Sequence, residues 1–267
     1  MNPDLMLATA AARTRPWDVV IIGGGATGAG CAVDAASRGY CVLLLERGEF
    51  GSGTSSRSTK LVHGGVRYLA RGELGLVTQA LHERAMLRRN APHVVKPLAF
   101  VVPAYRWWER AWYGLGLTAY DLLAGSEGFG RTEFLSREQT LRRLPNLASE
   151  GLRGGVLYFD GQFDDARLLA DLIATAADHG ACVLNRTEAI AFTRDRDGRI
   201  DGVIARPTHP STCSTDPMLE PAASRTIRAR VVINAAGPFG DAVRRMAPPA
   251  AVRTSGSTAR SSARIRP

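Results

Sequence analysis

Between Trp17 and Glu46 the chain passes from an unbroken apolar run, through a glycine cluster, into an alanine-rich stretch and out into a second apolar run. The first run, WDVVII over Trp17 to Ile22, is short and rich in β-branched residues, which suits a strand buried on both faces of a parallel sheet. GGGATGAG comes next, then CAVDAASRG, whose composition favours a helix stopping at Gly39 as C-cap. Cys41 to Leu45 reads as a second buried strand ending at Glu46, so the segment forms a βαβ unit of the length expected for a right-handed crossover. Farther along, Leu76, Ala80, Met86 and Leu87 recur at helical spacing within Glu73 to Asn90, with Pro92 just beyond the expected end. An aromatic stretch covers Tyr105 to Leu123. Asp164 to His179 is an amphipathic helix ending at Gly180, with a strand at Cys182 to Leu184 after it. Glu188 to Arg194 and Arg199 to Arg206 flank Asp197-Gly198 and predict a hairpin. Pro207 to Arg225 reads as a surface loop, and Thr226 to Ala235 returns to a β-rich run that closes on Gly237-Pro238. Past Met246 there is no aromatic residue, no acid and almost no large apolar side chain, so residues 247–267 are expected to be a disordered tail.

Composition narrows the class without naming it. A chain of 267 residues with 45% hydrophobic content buries a sizeable core. The formal net charge is +9, but six arginines and no acid lie beyond Asp241, and without them it is +9 − 6 = +3. The remaining arginines are scattered, with no aromatic-interleaved basic stripe, which argues against nucleic acid as a partner. Cys31, Cys41, Cys182 and Cys213 show neither CxxC pairing nor metal-ligand spacing, so they read as reduced, mostly buried thiols and no metal site is expected. Residues 1–16 form a leader whose acid at Asp4 and arginines at Arg13 and Arg15 are the reverse of a secretory signal, and no stretch approaches the length of a membrane span; a cytoplasmic location is the expectation.

The glycine cluster carries the first chemistry. Gly23-x-Gly25-x-x-Gly28 succeeds a predicted strand, opens a predicted helix and is followed after 18 residues by Glu46 at the end of the next strand. In the dinucleotide fingerprint, the first glycine permits the tight turn, the second lets the backbone approach a pyrophosphate and the third lets helix and sheet pack closely. The helix N-terminus offers free N–H groups to the phosphates. Glu46 is placed to accept hydrogen bonds from the adenosine ribose and to disfavour a 2′-phosphate. Taken alone, the fingerprint does not separate FAD from NAD.

The string Thr54-Ser55-Ser56-Arg57-Ser58-Thr59-Lys60-Leu61-Val62-His63-Gly64-Gly65-Val66-Arg67-Tyr68-Leu69, read with Gly23 to Glu46, resembles the FAD-dependent glycerol-3-phosphate dehydrogenases. Ala91-Pro92-His93, Phe163-Asp164-Asp165-Ala166-Arg167-Leu168 and Asn234-Ala235-Ala236-Gly237-Pro238 agree, and the similarity covers roughly residues 17 to 246. The resemblance implies an α/β fold: a glutathione-reductase-like FAD-binding Rossmann domain from residues 17–72 and 150–246, with part of an α+β cap domain at 73–149. It implies oxidation of sn-glycerol 3-phosphate to dihydroxyacetone phosphate, with electrons passed to a quinone, peripheral contact with the inner face of the cytoplasmic membrane, and a homodimer among the assemblies allowed. FAD would be held by Gly23, Gly25, Gly28, Glu46, Thr54, Ser55, Ser56, Lys60, Gly64, Gly65, Ala189 and Gly237, and the catalytic residues would be His63, Arg67 and Tyr68. A guanidinium fork binds phosphate oxygens bidentately and a nearby phenol can hold a hydroxyl, so Arg67 is read as phosphate or alkoxide stabiliser and Tyr68 as orienter.

The residues themselves leave alternatives open. Arg67 could pair with a surface acid, Tyr68 could pack in a core, His63 could contact the flavin or cap its loop, and Lys60 could face cofactor or solvent. The cluster Arg106, Trp107, Trp108, Arg110, Trp112 and Tyr113 fits either an interfacial membrane helix or a cap helix that buries its tryptophans, and the second is favoured because Gly114 and Gly116 interrupt the pattern. The family's general base, second substrate arginine and final flavin-contacting glycine segment have no match here, and the change near residue 247 has the character of a shifted reading frame in a G+C-rich gene. A truncated, non-catalytic remnant that binds FAD weakly or not at all is therefore a second reading. An amine or amino-acid oxidase of the same flavin superfamily is a third.

Overall fold

The computed structural model describes residues 3–69, 71–208 and 224–247; Cys213, most of the expected 207–225 loop and nearly all of the expected tail lie outside the described residues. In chain order the elements are α1 (Pro3–Ala12), β1 (Trp17–Ile22), α2 (Ala26–Ser37), β2 (Val42–Leu45), β3 (Leu61–Val62), α3 (Val66–Leu69), α4 (Leu74–Asn90), β4 (Val95–Ala104), α5 (Glu109–Ala124), β5 (Glu133–Leu135), α6 (Arg137–Arg143), β6 (Gly154–Phe163), α7 (Asp165–Asp178), β7 (Cys182–Leu184), β8 (Thr187–Arg194), β9 (Ile200–Pro207), β10 (Arg225–Asn234) and α8 (Gly240–Arg245). They form two compact units, residues 1–50 with 173–267, and residues 51–172. These units divide the chain at other points than the expected 72 and 150, because β3 and β6 pair within the sheet of the second unit and draw residues 51–72 and 150–172 into it.

The first unit is built on a six-stranded sheet in the order β7-β2-β1-β10-β9-β8. β7, β2, β1 and β10 are parallel, with Val20 opposite Leu43 on one side and Val232 on the other, whereas β10, β9 and β8 are antiparallel. Parallel strands covered on both faces must be apolar throughout, and Val42 to Leu45 are buried in full. The β1-α2-β2 crossover is the expected βαβ unit, with α2 starting at Ala26, five residues before the alanine-rich run, and Gly39 taking the left-handed φ of +83° just past its end. The expected hairpin is β8 and β9, turned over Asp195 to Arg199 with Gly198 at φ +79°. The leader contains a helix, α1, whose Met6 and Ala10 pack against the core formed by Trp17, Val20, Leu43, Leu45 and Cys182. Of the described cysteines only Cys182 is buried, and burial pushes its thiol up to about 11; Cys31 and Cys41 are partly exposed, so "mostly buried" holds for one of three.

The second unit is built on a four-stranded antiparallel sheet with β6 at its centre: β4 runs along one side of it, and β3 and β5 share the other. α4 and α5 enclose Val77, Leu81, Tyr120 and Ala124. α6 opens with a capping box in which Ser136 and Gln139 satisfy each other's backbone amides, the arrangement that completes an exposed helix start. The aromatic stretch is a helix, but its tryptophans are not buried. Trp107 is 81% exposed and Trp112 66%, with Trp108, Leu115 and Leu122 also exposed. Gly114 does not interrupt α5; a side chain there would meet the Phe134 ring at 2.1 Å, so glycine is the residue that lets the helix approach β5.

Candidate functional site

The turn between β1 and α2 is shaped by what its glycines exclude. Gly23 adopts φ +112°, and a Cβ on it would lie 2.5 Å from the Ala235 carbonyl oxygen. A Cβ on Gly28 would lie 1.9 Å from the Gly23 carbonyl oxygen, and one on Gly24 would meet Phe50 at 2.5 Å and the Glu46 side chain at 2.8 Å. Gly25 is the N-cap of α2 and brings no side chain to cap it, so the helix start presents backbone, not a capping side chain, to an anion. The turn thus runs on glycine backbone with no Cβ of its own at Gly23, Gly24, Gly25 or Gly28, as close approach by a diphosphate requires.

Glu46 has a further task that the sequence pattern did not reveal. Its Oε2 accepts from the Gly24 amide at 2.7 Å and its Oε1 from the Gly48 amide at 2.8 Å, so the carboxylate ties the end of β2 to the phosphate turn. An ionised carboxylate has about four lone-pair sites, so two remain for ribose hydroxyls. Beside the turn, Ala235 donates its amide to the Ile22 carbonyl at 2.8 Å. The Asn234 side chain shapes the bend between β10 and α8, accepting from the Ala236 amide at 3.2 Å and donating to the Gly240 carbonyl at 2.8 Å. Gly237 takes φ +54° within that bend. Ala189 is buried in β8 among Val203 and Ala205, two residues after Thr187, whose amide donates to the Glu46 carbonyl at 2.8 Å.

In the second unit the Thr54 to Tyr68 segment is held by two carboxylates. Thr54, Ser55 and Ser56 form one 3₁₀ turn, and the Ser56 hydroxyl donates to the Gly51 carbonyl at 2.8 Å. Lys60, at φ +58°, directs its Nζ to Asp165, which also accepts from the Ser58 amide at 3.0 Å, the Ser58 hydroxyl at 2.7 Å and the Ala166 amide at 2.8 Å. Hydrogen bonding from Lys60, then from Ser58, holds the Asp165 carboxyl well below the usual carboxylate range. Four residues beyond Lys60, the Gly64 amide donates to Asp160 Oδ1 at 3.2 Å. Asp160 is itself buried, accepting from Arg84 Nη1 at 2.8 Å and from the Tyr120 hydroxyl at 3.1 Å. Burial and the adjacent Asp160 charge push the Tyr120 phenol far above its ordinary value.

His63 and Arg67 are exposed on either side of the buried Gly64 and Gly65. Arg67 and Tyr68 lie on the single turn α3, with Gly65 at φ +76° and the Tyr68 amide donating to the Gly65 carbonyl at 2.8 Å. Among the described residues Arg67 has no carboxylate within ion-pair distance; its charge acts on Tyr158, opposing the upward push that burial gives that phenol. Tyr68 packs partly against the Val77, Leu81 and Tyr120 cluster. Arg84, Tyr120 and Asp160 were not identified from the sequence: they lie 36 to 76 residues apart, and none belongs to a recognisable short motif.

Known proteins resemble this arrangement. The chain is 42% identical over 240 residues to the mitochondrial glycerol-3-phosphate dehydrogenase of Macaca fascicularis, covering 87% of this chain and 32% of that protein. It is 41% identical over 243 residues to the mitochondrial enzyme of Saccharomyces cerevisiae, covering 88% and 36% respectively. The structure superposes on the glycerol-3-phosphate dehydrogenase of Bacillus halodurans complexed with FAD with a TM-score of 0.66 and 32% identity, covering 91% of this chain and 38% of that one. The chain thus spans about a third of the length of these relatives. The family model for FAD dependent oxidoreductases matches residues 18–264, running past residue 246 where the resemblance in the sequence was expected to end. With that match across most of its length and a glycine cradle that fits a dinucleotide, the chain belongs to the FAD dependent oxidoreductase family.

Proposed function

We propose that this chain contributes to the oxidation of sn-glycerol 3-phosphate to dihydroxyacetone phosphate, using FAD held at the β1–α2 turn. When bound, FAD supplies the acceptor for the hydride that leaves C2. The chain's own residues bind and orient. The amides around Gly23, Gly25 and Gly28 receive the diphosphate and Glu46 the ribose; Thr54, Ser55, Ser56, Lys60, Gly64, Gly65, Ala189 and Gly237 are assigned to the cofactor by resemblance.

The observation that carries the substrate is Arg67. It is an exposed guanidinium without an ion-pair partner among the described residues, placed two residues beyond a buried double glycine. A fork of that kind pairs bidentately with a phosphate monoester. Tyr68 orients the substrate hydroxyl, and His63, on the other side of the glycines, faces the same chemistry. Reduction of a dye by FAD-loaded protein, dependent on glycerol 3-phosphate, tests the reading. Arg67→Ala should weaken glycerol 3-phosphate by about tenfold or more, in line with the loss of a charge-assisted bidentate contact; wild-type affinity in that variant defeats the assignment.

A quinone as electron acceptor requires access to a membrane, and the outer face of α5 supports peripheral contact. Trp108, Trp112, Leu115 and Leu122 follow helical spacing along one exposed stripe, with Trp107 and Arg106 beside it. Tryptophan and arginine at the edge of an apolar stripe suit the headgroup layer. Among the described residues no helix is long and apolar enough to cross a membrane.

A further inference from the structure

We propose that Asp160, clamped by Arg84 and Tyr120, is a positioning residue that sets the Gly64–Gly65 backbone and thereby the aim of Arg67 and Tyr68. The inference rests on the reading of that pair as the substrate-binding residues.

Asp160 lies on the central strand β6 and is 3% exposed; Arg84, on α4, is 1% exposed. The guanidinium is enclosed, stacked over Phe129 at 4.3 Å and near the Tyr120 ring at 5.8 Å. So placed, Arg84 cannot reach a solvent-borne substrate and acts through Asp160 and the Tyr120 hydroxyl, to which its Nη1 donates at 3.4 Å. A buried ion pair is a poor device for stability, since apolar residues of similar volume often do as well or better, and here the Arg84 Nε has no partner among the described residues. The arrangement is explained by what the carboxylate does with its remaining valence. Oδ1 takes the Arg84 Nη1 together with the Gly64 amide at 3.2 Å and the Gly161 amide at 3.0 Å, while Oδ2 takes the Tyr120 hydroxyl.

The constraint continues outward without slack. Gly64 is wedged so closely that a Cβ would lie 2.2 Å from the Tyr120 hydroxyl and 2.3 Å from Leu81. Gly65 turns at φ +76° with the Tyr68 ring against it, and its carbonyl receives the Tyr68 amide. Only a short stretch of backbone therefore separates an amide held by a buried carboxylate from the α-carbon of Arg67. Misplacing a binding group by about 1 Å can cost 10²-fold in rate, so rigidity here has a direct consequence for the substrate.

The test separates positioning from stability. In the FAD-loaded chain, the double variant Arg84→Met with Asp160→Leu replaces the ion pair by apolar bulk while removing the carboxylate that accepts the Gly64 amide. Expected is a melting temperature close to wild type, amide hydrogen exchange over residues 63–68 faster by about tenfold as local opening becomes cheaper, and glycerol 3-phosphate affinity, measured by calorimetry, weaker by about tenfold. A double variant that keeps wild-type exchange over 63–68, or that keeps wild-type substrate affinity despite faster exchange, overturns the proposal. Should the double variant not fold, Tyr120→Phe removes the single bond to Oδ2, and exchange over 63–68 must still rise; unchanged exchange there is equally fatal. If the wild-type chain does not bind glycerol 3-phosphate, the functional reading fails on its own, and the exchange measurement still decides whether Asp160 holds the loop.

Discussion

Replacing Glu46 by glutamine probes the cofactor cradle with the smallest change of shape. The carboxylate receives two backbone amides, from Gly24 at 2.7 Å and Gly48 at 2.8 Å. Glutamine keeps one acceptor oxygen and turns an NH₂ group toward the other amide, so one hydrogen bond is lost and the survivor changes from a charged to a neutral acceptor. A bond to a charged group contributes about 1.5–3 kcal/mol and a neutral one about 0.5–1.5 kcal/mol. Taken together the loss is about 2–3 kcal/mol at this half-buried site, after allowing for solvent that replaces part of it. Because tenfold in affinity corresponds to about 1.4 kcal/mol, a loss carried in full into binding makes FAD bind about 30- to 150-fold more weakly. Titration of the apoprotein with FAD, followed by flavin fluorescence, measures this directly, and a thermal melt without FAD reports how much of the loss is loosening of the turn alone. Glu46→Asp, one methylene shorter, cannot span both amides and should resemble Glu46→Gln. FAD affinity within twofold of wild type together with an unchanged melt would refute the assignment of Glu46 to both turn and ribose.

Other substitutions test separate parts of the structure. Gly28→Ala drives a methyl to 1.9 Å from the Gly23 carbonyl, backbone against backbone, and should destabilise by about 1–3 kcal/mol in urea unfolding as an overpacked contact; a stability equal to wild type would show that the turn yields more readily than its packing suggests. Asp165 has its carboxyl held below the ordinary value of 3.8 by Lys60 and Ser58, so its contribution is fully present above that value and disappears as pH falls through it toward the still lower folded value. Asp165→Asn should accordingly be less stable at neutral pH and lose less on acidification below about pH 4, which urea midpoints at a series of pH values measure; an acid limb parallel to wild type contradicts the role. Trp107→Ser with Trp112→Ser should leave stability within about 0.5 kcal/mol, as exposed positions do, yet reduce co-sedimentation with anionic vesicles. Undiminished vesicle binding removes α5 as the membrane face.

Local rules read the first unit well because its chemistry is local. Strand, glycine turn, helix and acid succeed one another between Trp17 and Glu46, and Gly23, Gly24 and Gly28 are each demanded by a neighbour close in sequence or by the end of an adjacent strand. The second unit resists the same reading. β4 carries Pro97 and Pro103, which argue against a strand, yet it is an edge strand paired only with β6, where a missing N–H can point away from the ladder. β6 begins with two glycines and carries Asp160 at a buried position, so its apolar run is cut to the four residues Val156 to Phe159 and shows no alternation. The tryptophans around the start of α5 were expected inside because Gly114 and Gly116 interrupt the aromatic pattern; the helix instead buries Gly114, Leu117, Tyr120 and Ala124 and turns its indoles outward.

A common logic links the parts that sequence could show with those it could not. A diphosphate is bound through backbone amides, so its site is written in the absence of side chains, and absence at fixed spacing is visible in a single string of residues. The Thr54 to Tyr68 segment contains the residues that resemblance assigns to cofactor and substrate, but its shape is imposed from outside. Asp165 grips Ser58 and Lys60 from 107 and 105 residues away, and Asp160 grips Gly64 from 96. Loop closure over such separations carries an entropic cost that grows only slowly with length, so folding can recruit anchors from anywhere in the chain, and only the buried carboxylates on β6 and at the start of α7 reveal where the loop is fastened. Both anchors accept backbone amides of the loop, and no change of side chain within the loop can replace an amide. The shape of this segment therefore depends on Asp160 and Asp165, although neither aspartate need touch the substrate.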